Sequence, residues 1–502
     1  MRSAASPSRE SHWRSGASFI RPRAVLPPSE RSVDRLRRPT GVAQAGALPR
    51  LVAGLAIAAA LALLALPVPE GLAPEAMEAG ALLVLAVGLW ASGIVPLHLT
   101  ALLFFLLAML LGVAPASVVF SGFGSAAVWL VFGGLVIGVA VERTGLGERL
   151  ARSLVGLFGD SYLRVLLGVA TVGVTLAFLM PSTMGRVVLL VPIMAATAGR
   201  LGFAPGSRGR HGIILATALS TFMPAAAILP SNVANMVLAG TAETLYGIEM
   251  RYVAYLVLHF PLLGAAKCVL IVLASWLLFH DRPRPAEVAP EARPLSGEER
   301  ALATLLAVAL ALWATDAWHG VSPAWIALGA AVVAMLPPVR LVPAEAFNER
   351  LNFGSLFYVA GILGLAAVVE RTGLGRVLAG ALVELTGLAP GATAHDFAAL
   401  IGVSMVLSLA TTMGGVPAVL TPLADGLSQA SGLPLVSVLM TQVLGFSTVL
   451  LPYQLPPLMV AMQLGEVPLR AGARLTLLLA AVTVGLVLPL NYLWWSWLGY
   501  LG

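Results

Sequence analysis

Long apolar runs, separated by short clusters of charged or turn-forming residues, divide the chain into helices. Residues 79–141 contain 63 consecutive positions without Asp, Glu, Lys or Arg, whereas one membrane-spanning helix needs about 20 residues. About three spans therefore lie in this stretch alone. Across the whole chain, the apolar runs predict helices near 51–67, 79–95, 98–113, 122–142, 212–240, 252–279, 301–316, 322–338, 352–370, 434–464 and 473–498. The pattern predicts an all-α polytopic membrane protein with about 11 transmembrane helices.

Two further apolar segments, at about 165–199 and 397–430, do not have the pattern of an ordinary span. In the first, 13 uncharged residues separate Arg186 from Arg200. They form about 20 Å of helix, less than the hydrocarbon core of about 30 Å. Basic residues flank both ends of this segment, and the positive-inside rule places both ends in the cytoplasm. We therefore predict a re-entrant hairpin whose tip is PSTMG at 181–185, and a second hairpin around TTMGG at 411–415.

Short motifs from the first half of the chain recur in the second half. VERTGLG at 141–147 recurs at 369–375, FGS at 123–125 recurs at 353–355, and TMG at 183–185 recurs at 412–414. The matched offsets indicate two structural repeats. Each repeat holds five spans and one hairpin, which predicts inverted repeats. The predicted organisation is a basic, disordered cytoplasmic tail at 1–50, an extra first span at 51–78, repeats at 79–279 and 301–502, and a cytoplasmic linker at 280–300.

Composition supports this membrane assignment and excludes some functions. Hydrophobic residues make up 59% of the chain and charged residues 11%, whereas about a quarter of a soluble domain is charged. The first 50 residues hold ten arginines against three acids, which indicates charge beside the membrane rather than nucleic-acid binding. Cys268 is the sole cysteine, so no intrachain disulfide or cysteine-based metal cluster forms. The predicted location is the bacterial inner membrane, with the N-terminus cytoplasmic and the C-terminus outside.

The candidate chemistry lies at the hairpin tips and at two interrupted helices. Helix N-termini at such tips favour an anion. Prolines and polar residues interrupt one helix of each repeat, at 230–235 (PSNVAN) and 452–457 (PYQLPP). The alternative is that these breaks are kinks filled by neighbouring side chains. The residues that we expect to bind substrate are Ser182, Thr183, Gly185, Arg186, Asn232, Thr411, Thr412, Gly414, Gln454 and Pro456. Those expected to bind a cation are Ser182, Thr183, Ser231, Thr411 and Thr412.

Arg186 is the most informative single residue of the sequence. An arginine within the membrane costs about 2.5–3.5 kcal/mol on insertion scales, so it indicates function, and its fork suits capture of an oxyanion. The alternative is that Arg186 pairs with an acid such as Asp425 or reaches the cytoplasmic edge. Lys267, His259 and His98 are predicted to make interfacial or packing contacts. Glu142-Arg143 and Glu370-Arg371 are predicted to pair or to cap at helix ends.

The order of elements, the paired hairpins and the segment at 129–147, with WLVFGG followed by ERTGLG, resemble the divalent anion/sodium symporter family over about residues 51–500. The resemblance implies an elevator-like homodimer that moves dicarboxylates, citrate or sulfate, usually with sodium. Family tips read Ser-Asn-Thr, and here the first tip keeps only Ser182. Because the tip asparagines help to bind sodium and substrate in the family, their loss suggests that Arg186 supplies the positive charge of a sodium ion.

The sequence therefore predicts a secondary active transporter, and not an enzyme. It would move a small anion, such as a di- or tricarboxylate or sulfate, by alternating access and with a coupling cation such as sodium. Its expected partners are this anion, the lipid bilayer and a second copy of the chain, with no cofactor and no nucleic acid. The alternative is a cation/proton antiporter on a related inverted-repeat scaffold, for which Asp425 is the titratable candidate. An intramembrane enzyme is disfavoured because no hydrolase or metalloprotease motif is present.

Overall fold

The computed structural model describes residues 47–68, 73–157, 161–283, 294–411 and 413–502, and within these every regular element is a helix. Most of the predicted tail, part of the predicted linker and Thr412 lie outside the described residues. In chain order the described helices longer than seven residues are α1 Ala47–Ala65, α2 Pro74–Ser92, α3 Leu97–Leu111, α4 Ala126–Thr144, α5 Leu146–Leu157, α6 Tyr162–Leu179, α7 Thr183–Arg200, α8 Arg208–Phe222, α9 Val233–Tyr246, α10 Tyr252–Phe279, α11 Gly297–Ala314, α12 Pro323–Met335, α13 Phe353–Arg371, α14 Leu374–Thr386, α15 Thr393–Ala410, α16 Gly415–Ser431, α17 Leu435–Phe446, α18 Pro456–Leu464 and α19 Leu469–Trp497.

The number of helices that satisfy a strict span criterion is lower than the predicted number of spans. Eight described helices are long and apolar enough to cross a membrane, or nine if the bent pair α16 and α17, which meet at 120°, is one span. The eight include the first arms of both predicted hairpins, α6 and α15. Other predicted spans fail because α3 and α12 are short, because α11 begins with three charged residues at 298–300, or because a break divides them. The protein is an all-helical polytopic membrane protein, and eleven spans stays a prediction.

The outer surface is apolar, as a bilayer requires. Helix α1 is mostly exposed and presents leucines outward, among them Leu51, Leu55 and Leu61. It packs closely on α2, where a side chain at Gly88 would collide with Ala56. Exposure of so many leucines to water would be unfavourable, so this face is suited to contact with lipid.

Two broken helices form the centre of the molecule. Helices α8 and α17 are buried along almost their whole length. After α8 the chain runs through short 3₁₀ turns at Pro224–Ala227 and Leu229–Ser231 before α9 begins. After α17 it runs through one 3₁₀ turn at Pro452–Gln454 before α18. Apolar residues all around these helices explain their central position, and the prolines explain why the backbone does not continue as a helix.

Both predicted hairpins are helix–turn–helix segments in the structure. The first joins α6 to α7 through residues 180–182, and the second joins α15 to α16 around 411–414. The first tip packs tightly on α4, because a Cβ at Gly134 would lie 2.9 Å from Pro181 Cβ. The nine helices α2–α10, at 74–279, are followed by the nine helices α11–α19, at 297–497. Their inverted orientation in the membrane stays a prediction.

Candidate functional site

The two hairpin tips and the two helix breaks meet at one cavity of about 530 Å³. The first tip lines it with residues 180–185 and the first break with residues 232–234. The second tip contributes Met413 and Gly414, and the second break contributes residues 455–457. Segments that are far apart in the sequence therefore share one space, with the size of a small-molecule site.

Three helices begin at this cavity and direct their N-termini towards it. Ser182 caps α7 by accepting a hydrogen bond from the backbone N–H of Gly185 at 3.1 Å. Asn232 caps α9 by accepting from the backbone N–H of Asn235 at 3.0 Å. Helix α18 begins at Pro456 without a side-chain cap. The positive ends of three helix dipoles therefore favour a negatively charged occupant.

The predicted substrate residues fall into two groups. Arg186, Thr411 and Gln454 are not among the described residues that line the cavity. Ser231, which we expected at a cation site, is also absent from the lining. Thr412 lies outside the described residues. The predicted substrate residues that line the cavity are Ser182, Thr183, Gly185, Asn232, Gly414 and Pro456.

Arg186 lies behind the first hairpin tip, where its side chain is fully buried. Its guanidinium donates to the backbone carbonyl of Met180 within the tip. It also donates to the carbonyls of Thr221 at 2.8 Å and Ser231 at 3.2 Å, on either side of the first break, and to Thr183 Oγ1 at 3.0 Å. Arg186 therefore connects the hairpin to the broken helix, and it is not among the described residues that line the cavity.

The two alternatives for Arg186 are also corrected. Asp425, its predicted acidic partner, instead accepts a hydrogen bond from the side-chain amide of Gln429 at 2.9 Å. Since Arg186 is fully buried, it does not reach an aqueous edge. Among the described residues it forms no ion pair with Asp or Glu. A buried cation without an acidic partner adds positive potential near the tip.

Gln454 stabilises the second break rather than facing the cavity. Its side-chain oxygen accepts hydrogen bonds from the backbone N–H groups of Leu450 and Leu451 at 2.8 and 2.7 Å. Its amide nitrogen donates to Ser408 Oγ at 3.0 Å. Because these bonds occupy the side chain, Gln454 holds the extended backbone between α17 and α18 against the second hairpin.

The sequence reasoning missed several polar residues of the cavity. Glu142 at the end of α4 and Arg350 just before α13 both line it, and both are exposed at its mouth. Tyr358 also lines it, and its hydroxyl oxygen lies 2.8 Å from the position of a Cβ at Gly414. Asn352 and Ser355 complete this polar wall. One sequence feature could have indicated Ser355. It belongs to the duplicated FGS motif, which was used only to identify the repeats.

Arg143 pairs at the end of α4, as predicted, but its acidic partner is Glu298 and not Glu142. Arg143 donates to the backbone carbonyls of Leu341 at 2.7 Å and Arg340 at 2.9 Å. It forms its ion pair, also at 2.9 Å, with Glu298. A second ion pair nearby joins Arg149 to Glu299, and its hydrogen bonds lower the pKa of Glu299. These pairs leave Glu142 free of Arg143 and available to the cavity.

Lys267 and His259 are both buried inside the helical bundle. Lys267 is 2% exposed and donates to the carbonyl and hydroxyl oxygens of Ser447 at 3.0 and 3.2 Å. His259 is fully buried, with Nε2 3.4 Å from the sulfur of Met440. Of the two predicted alternatives, interfacial contacts or packing contacts, both residues therefore have the second, and Lys267 belongs to the second helix break.

The buried helix breaks, the paired tips and the cavity define a transport protein rather than an enzyme, of the class that carries small solutes across membranes around a central site. A profile of the sodium:sulfate symporter transmembrane region matches residues 48–501. The chain therefore belongs to the sodium:sulfate symporter family, in agreement with the resemblance read from its motifs, and it is a secondary transporter of anions.

Individual relatives agree with this assignment. A membrane protein of Cupriavidus necator is 26% identical over 476 residues, covering 89% of this chain and 92% of the relative. The L-tartrate/succinate antiporter of Escherichia coli K12 is 23% identical over 398 residues, covering 74% of this chain and 79% of the relative. The solved structure of the Neisseria gonorrhoeae efflux pump MtrF superimposes with a TM-score of 0.52 at 17% identity, covering 92% and 97% of the two chains. That similarity concerns the fold alone.

Proposed function

We propose that the protein moves a small dianion, a dicarboxylate or sulfate, by alternating access around the cavity between its hairpin tips. The observation that carries the proposal is that α7, α9 and α18 all begin at this cavity. Backbone N–H groups at helix N-termini bind carboxylate and sulfate oxygens. Similarity to an L-tartrate/succinate antiporter supports a four-carbon dicarboxylate as the first substrate to test.

Each part of the cavity has a proposed role. Ser182, Thr183 and Asn232 supply hydroxyl, amide and backbone donors to the dianion, and Gly414 lets it approach the second tip. Arg350, the basic side chain at the mouth, attracts the anion. Glu142 faces the same mouth with the opposite charge, and thereby limits how tightly the anion is held there.

Alternating access follows from the two tips in this proposal. With the predicted orientation, Glu142 and Arg350 lie at cytoplasmic helix ends, so the described cavity opens inward. An elevator-like movement of the hairpins and broken helices against the remaining helices would present the site outward. The bacterial inner membrane, a cytoplasmic N-terminus and a homodimer remain parts of the proposal that come from the sequence.

The test is transport by the purified protein in liposomes. Uptake of labelled succinate, L-tartrate, citrate and sulfate is measured with and without sodium and proton gradients, against protein-free liposomes. Saturable uptake of at least one dianion is expected, with competition by the others. Cation flux driven by acidification, without any anion flux, would instead support the cation/proton antiporter. Asp425 does not line the cavity, so no geometric observation favours that alternative.

A further inference from the structure

Methionine is enriched in the wall of the central cavity. Four of the 28 described lining residues are methionines, against 15 of 502 residues in the whole chain. Met180 and Met184 belong to the first hairpin tip, Met236 to α9 and Met413 to the second hairpin tip. Methionine therefore forms about five times as large a share of the cavity wall as of the whole chain.

The two tip methionines occupy the same position of a duplicated motif. TMG occurs at 183–185 and again at 412–414, so each repeat places one methionine at its tip, and both side chains line the cavity. Met413 is 6% exposed, whereas Met184 is 38% exposed. More than a third of the Met184 side chain thus stays open at the cavity, where an apolar surface would contact a ligand.

The same wall continues with aromatic and aliphatic side chains. Phe222 at the end of α8, Tyr358 of α13 and Leu455 at the second break all line the cavity. The donor groups are confined to other parts of it, among them the helix starts at Ser182 and Asn232. The cavity therefore has two kinds of surface, one suited to carboxylate oxygens and one suited to an apolar group.

The size of the cavity exceeds what a small dianion needs. Its volume is about 530 Å³, whereas an apolar cavity of roughly 150 Å³ holds benzene. Sulfate and succinate are similar in size to benzene, so either would fill only part of the space. A carboxylate against the apolar wall would lose bound water without gaining hydrogen bonds, which is unfavourable. The free space beside the wall is therefore suited to an uncharged, apolar part of the ligand.

Methionine favours one kind of apolar group in particular. Its thioether is polarisable and makes favourable contacts with the edges of aromatic rings. Its side chain is also unbranched and flexible, so it adapts to ligands of different shape. A wall that combines Met184 and Met413 with Phe222 and Tyr358 thus matches an aromatic ring.

We propose that the substrate is a dicarboxylate that carries an aromatic ring, with the ring held by Met184 and Met413. Its carboxylates would lie at the N-termini of α7 and α9, as in the proposed function. The inference rests on that function, because it assumes a dianion in the central cavity. It narrows the substrate class, since burial of the ring adds affinity that succinate and sulfate lack.

The first experiment compares dicarboxylates that share a four-carbon chain and differ only in the groups on it. Uptake of labelled succinate into liposomes that contain the wild-type protein is inhibited with L-tartrate, succinate, methylsuccinate or phenylsuccinate. We expect phenylsuccinate to inhibit at a concentration at least about tenfold lower than succinate, with methylsuccinate between them and L-tartrate the weakest. Inhibition by phenylsuccinate that is no stronger than inhibition by succinate would overturn the inference and leave dianion transport intact.

The second experiment determines whether the aromatic dicarboxylate is carried. Uptake of labelled phenylsuccinate is measured with the same liposomes, and protein-free liposomes give the rate of passage through lipid. Saturable, protein-dependent uptake is expected. Inhibition of succinate uptake without uptake of phenylsuccinate would overturn its assignment as a substrate. Absence of saturable uptake of both labelled dicarboxylates would overturn the proposed function itself.

The third experiment changes the polarity of the wall. Met184→Gln keeps the length of the side chain and replaces the thioether by an amide, so the ratio of the inhibitory concentrations of phenylsuccinate and succinate should rise about fivefold. Met413→Gln should shift this ratio in the same direction. Met184→Leu keeps an apolar side chain and should change the ratio by less than about twofold. The matched control is Met109→Gln, near the end of α3, where Met109 is 40% exposed and does not line the cavity.

A packing role for the tip methionines predicts a different result. In that case Met184→Gln and Met413→Gln lower the uptake rate but leave the ratio unchanged, and this outcome would contradict the inference. The ratio does not depend on the amount of folded protein, so it separates recognition of the ring from loss of stability. If neither glutamine variant folds, inhibition and uptake by the wild-type protein still decide the matter, because they require no substitution.

Discussion

The two helix breaks share a backbone plan, but different side chains stabilise them. At the first break, Arg186 comes from the adjacent hairpin and bonds carbonyls on both sides of the break. At the second break, Lys267 comes from α10 of the other repeat and bonds one residue, Ser447. Gln454 and Thr476 provide further hydrogen bonds there. The first break also has two neutral amides, because Asn232 and Asn235 donate to the carbonyls of its 3₁₀ turns. Both breaks are therefore held by a cation and neutral side chains, but the first cation bonds several residues and the second bonds one.

The hairpin tips differ in a related way. Ser182 caps the second arm of the first hairpin, whereas α16 begins at Gly415 with no side-chain cap among the described contacts. The rigid ring of Tyr358 instead lies against the second tip at Gly414. Duplicated backbones can therefore diverge in their side-chain chemistry as long as the same carbonyls and N–H groups are satisfied.

The largest effect is expected from Arg186→Met, because it removes the group that holds the first break. Carbonyls of Met180, Thr221 and Ser231 would lose a buried donor, which should lower the free energy of unfolding by about 3 kcal/mol or more and abolish transport. Arg186→Lys keeps the charge but has fewer hydrogen-bond donors than arginine. It should therefore lose less stability and less transport activity than Arg186→Met. Thermal unfolding in detergent and uptake into liposomes measure both effects. Unchanged stability and transport in Arg186→Met would show that the first break does not depend on its cation.

The second test compares the tips through their glycines. A Cβ at Gly414 would lie 2.8 Å from the hydroxyl of Tyr358, whose ring packs edge-on against Trp90. A Cβ at Gly185 would lie 2.6 Å from the terminal methyl of Met180, which can move. Gly414→Ala should therefore lower the free energy of unfolding by about 1–3 kcal/mol and reduce uptake about tenfold. Gly185→Ala should reduce uptake about twofold.

A double substitution checks the cause of the Gly414 effect. Tyr358→Phe removes the hydroxyl that meets the new methyl group, so it should restore most of the thermal stability lost in Gly414→Ala. Tyr358→Phe alone serves as the reference. If the double variant is no more stable than Gly414→Ala, the contact with Tyr358 is not what makes the second tip sensitive.

A third test concerns the two opposite charges at the mouth of the cavity. Arg350→Gln should raise the KM for the dianion about fivefold with little change in kcat, because it weakens attraction without altering the deeper site. Glu142→Gln should lower the KM, since it removes a like charge from the path of the anion. Initial uptake rates at several substrate concentrations measure both changes. The control is Arg470→Gln, which removes an exposed arginine of α19 that does not line the cavity. An equal loss of kcat in both variants would show that Arg350 and Glu142 stabilise the structure and do not act on the approaching anion.

The smallest effect is expected at the surface. Glu298→Gln removes the partly exposed ion pair with Arg143, which joins the start of α11 to the end of α4. Such pairs contribute at most about 1 kcal/mol, so transport should stay within about twofold of the wild-type rate. A loss comparable to that of Arg186→Met would mean that the contact between α4 and α11, and not the breaks, limits transport.

Apolar runs and duplicated motifs were enough to predict the helical membrane fold, both hairpins and the position of each helix break. These features are local, since a proline or a long uncharged run acts on its own segment. The sequence also identified Ser182, Asn232 and Pro456, which line the cavity. It misplaced Arg186 and Gln454, because their hydrogen-bond partners lie on other elements. It missed Arg350 and Glu142, whose charges resemble those of ordinary loop residues.

What the sequence determined by itself was therefore the set of elements and the class of protein. The tertiary structure decided which polar groups face the cavity and which are used to hold the backbone. The physical reason is that a buried arginine or lysine bonds whichever unpaired carbonyls lie within reach. Whether Arg186 and Lys267 meet a substrate or a helix end thus depends on how α8 and α17 pack against the hairpin and α10, which no local pattern specifies.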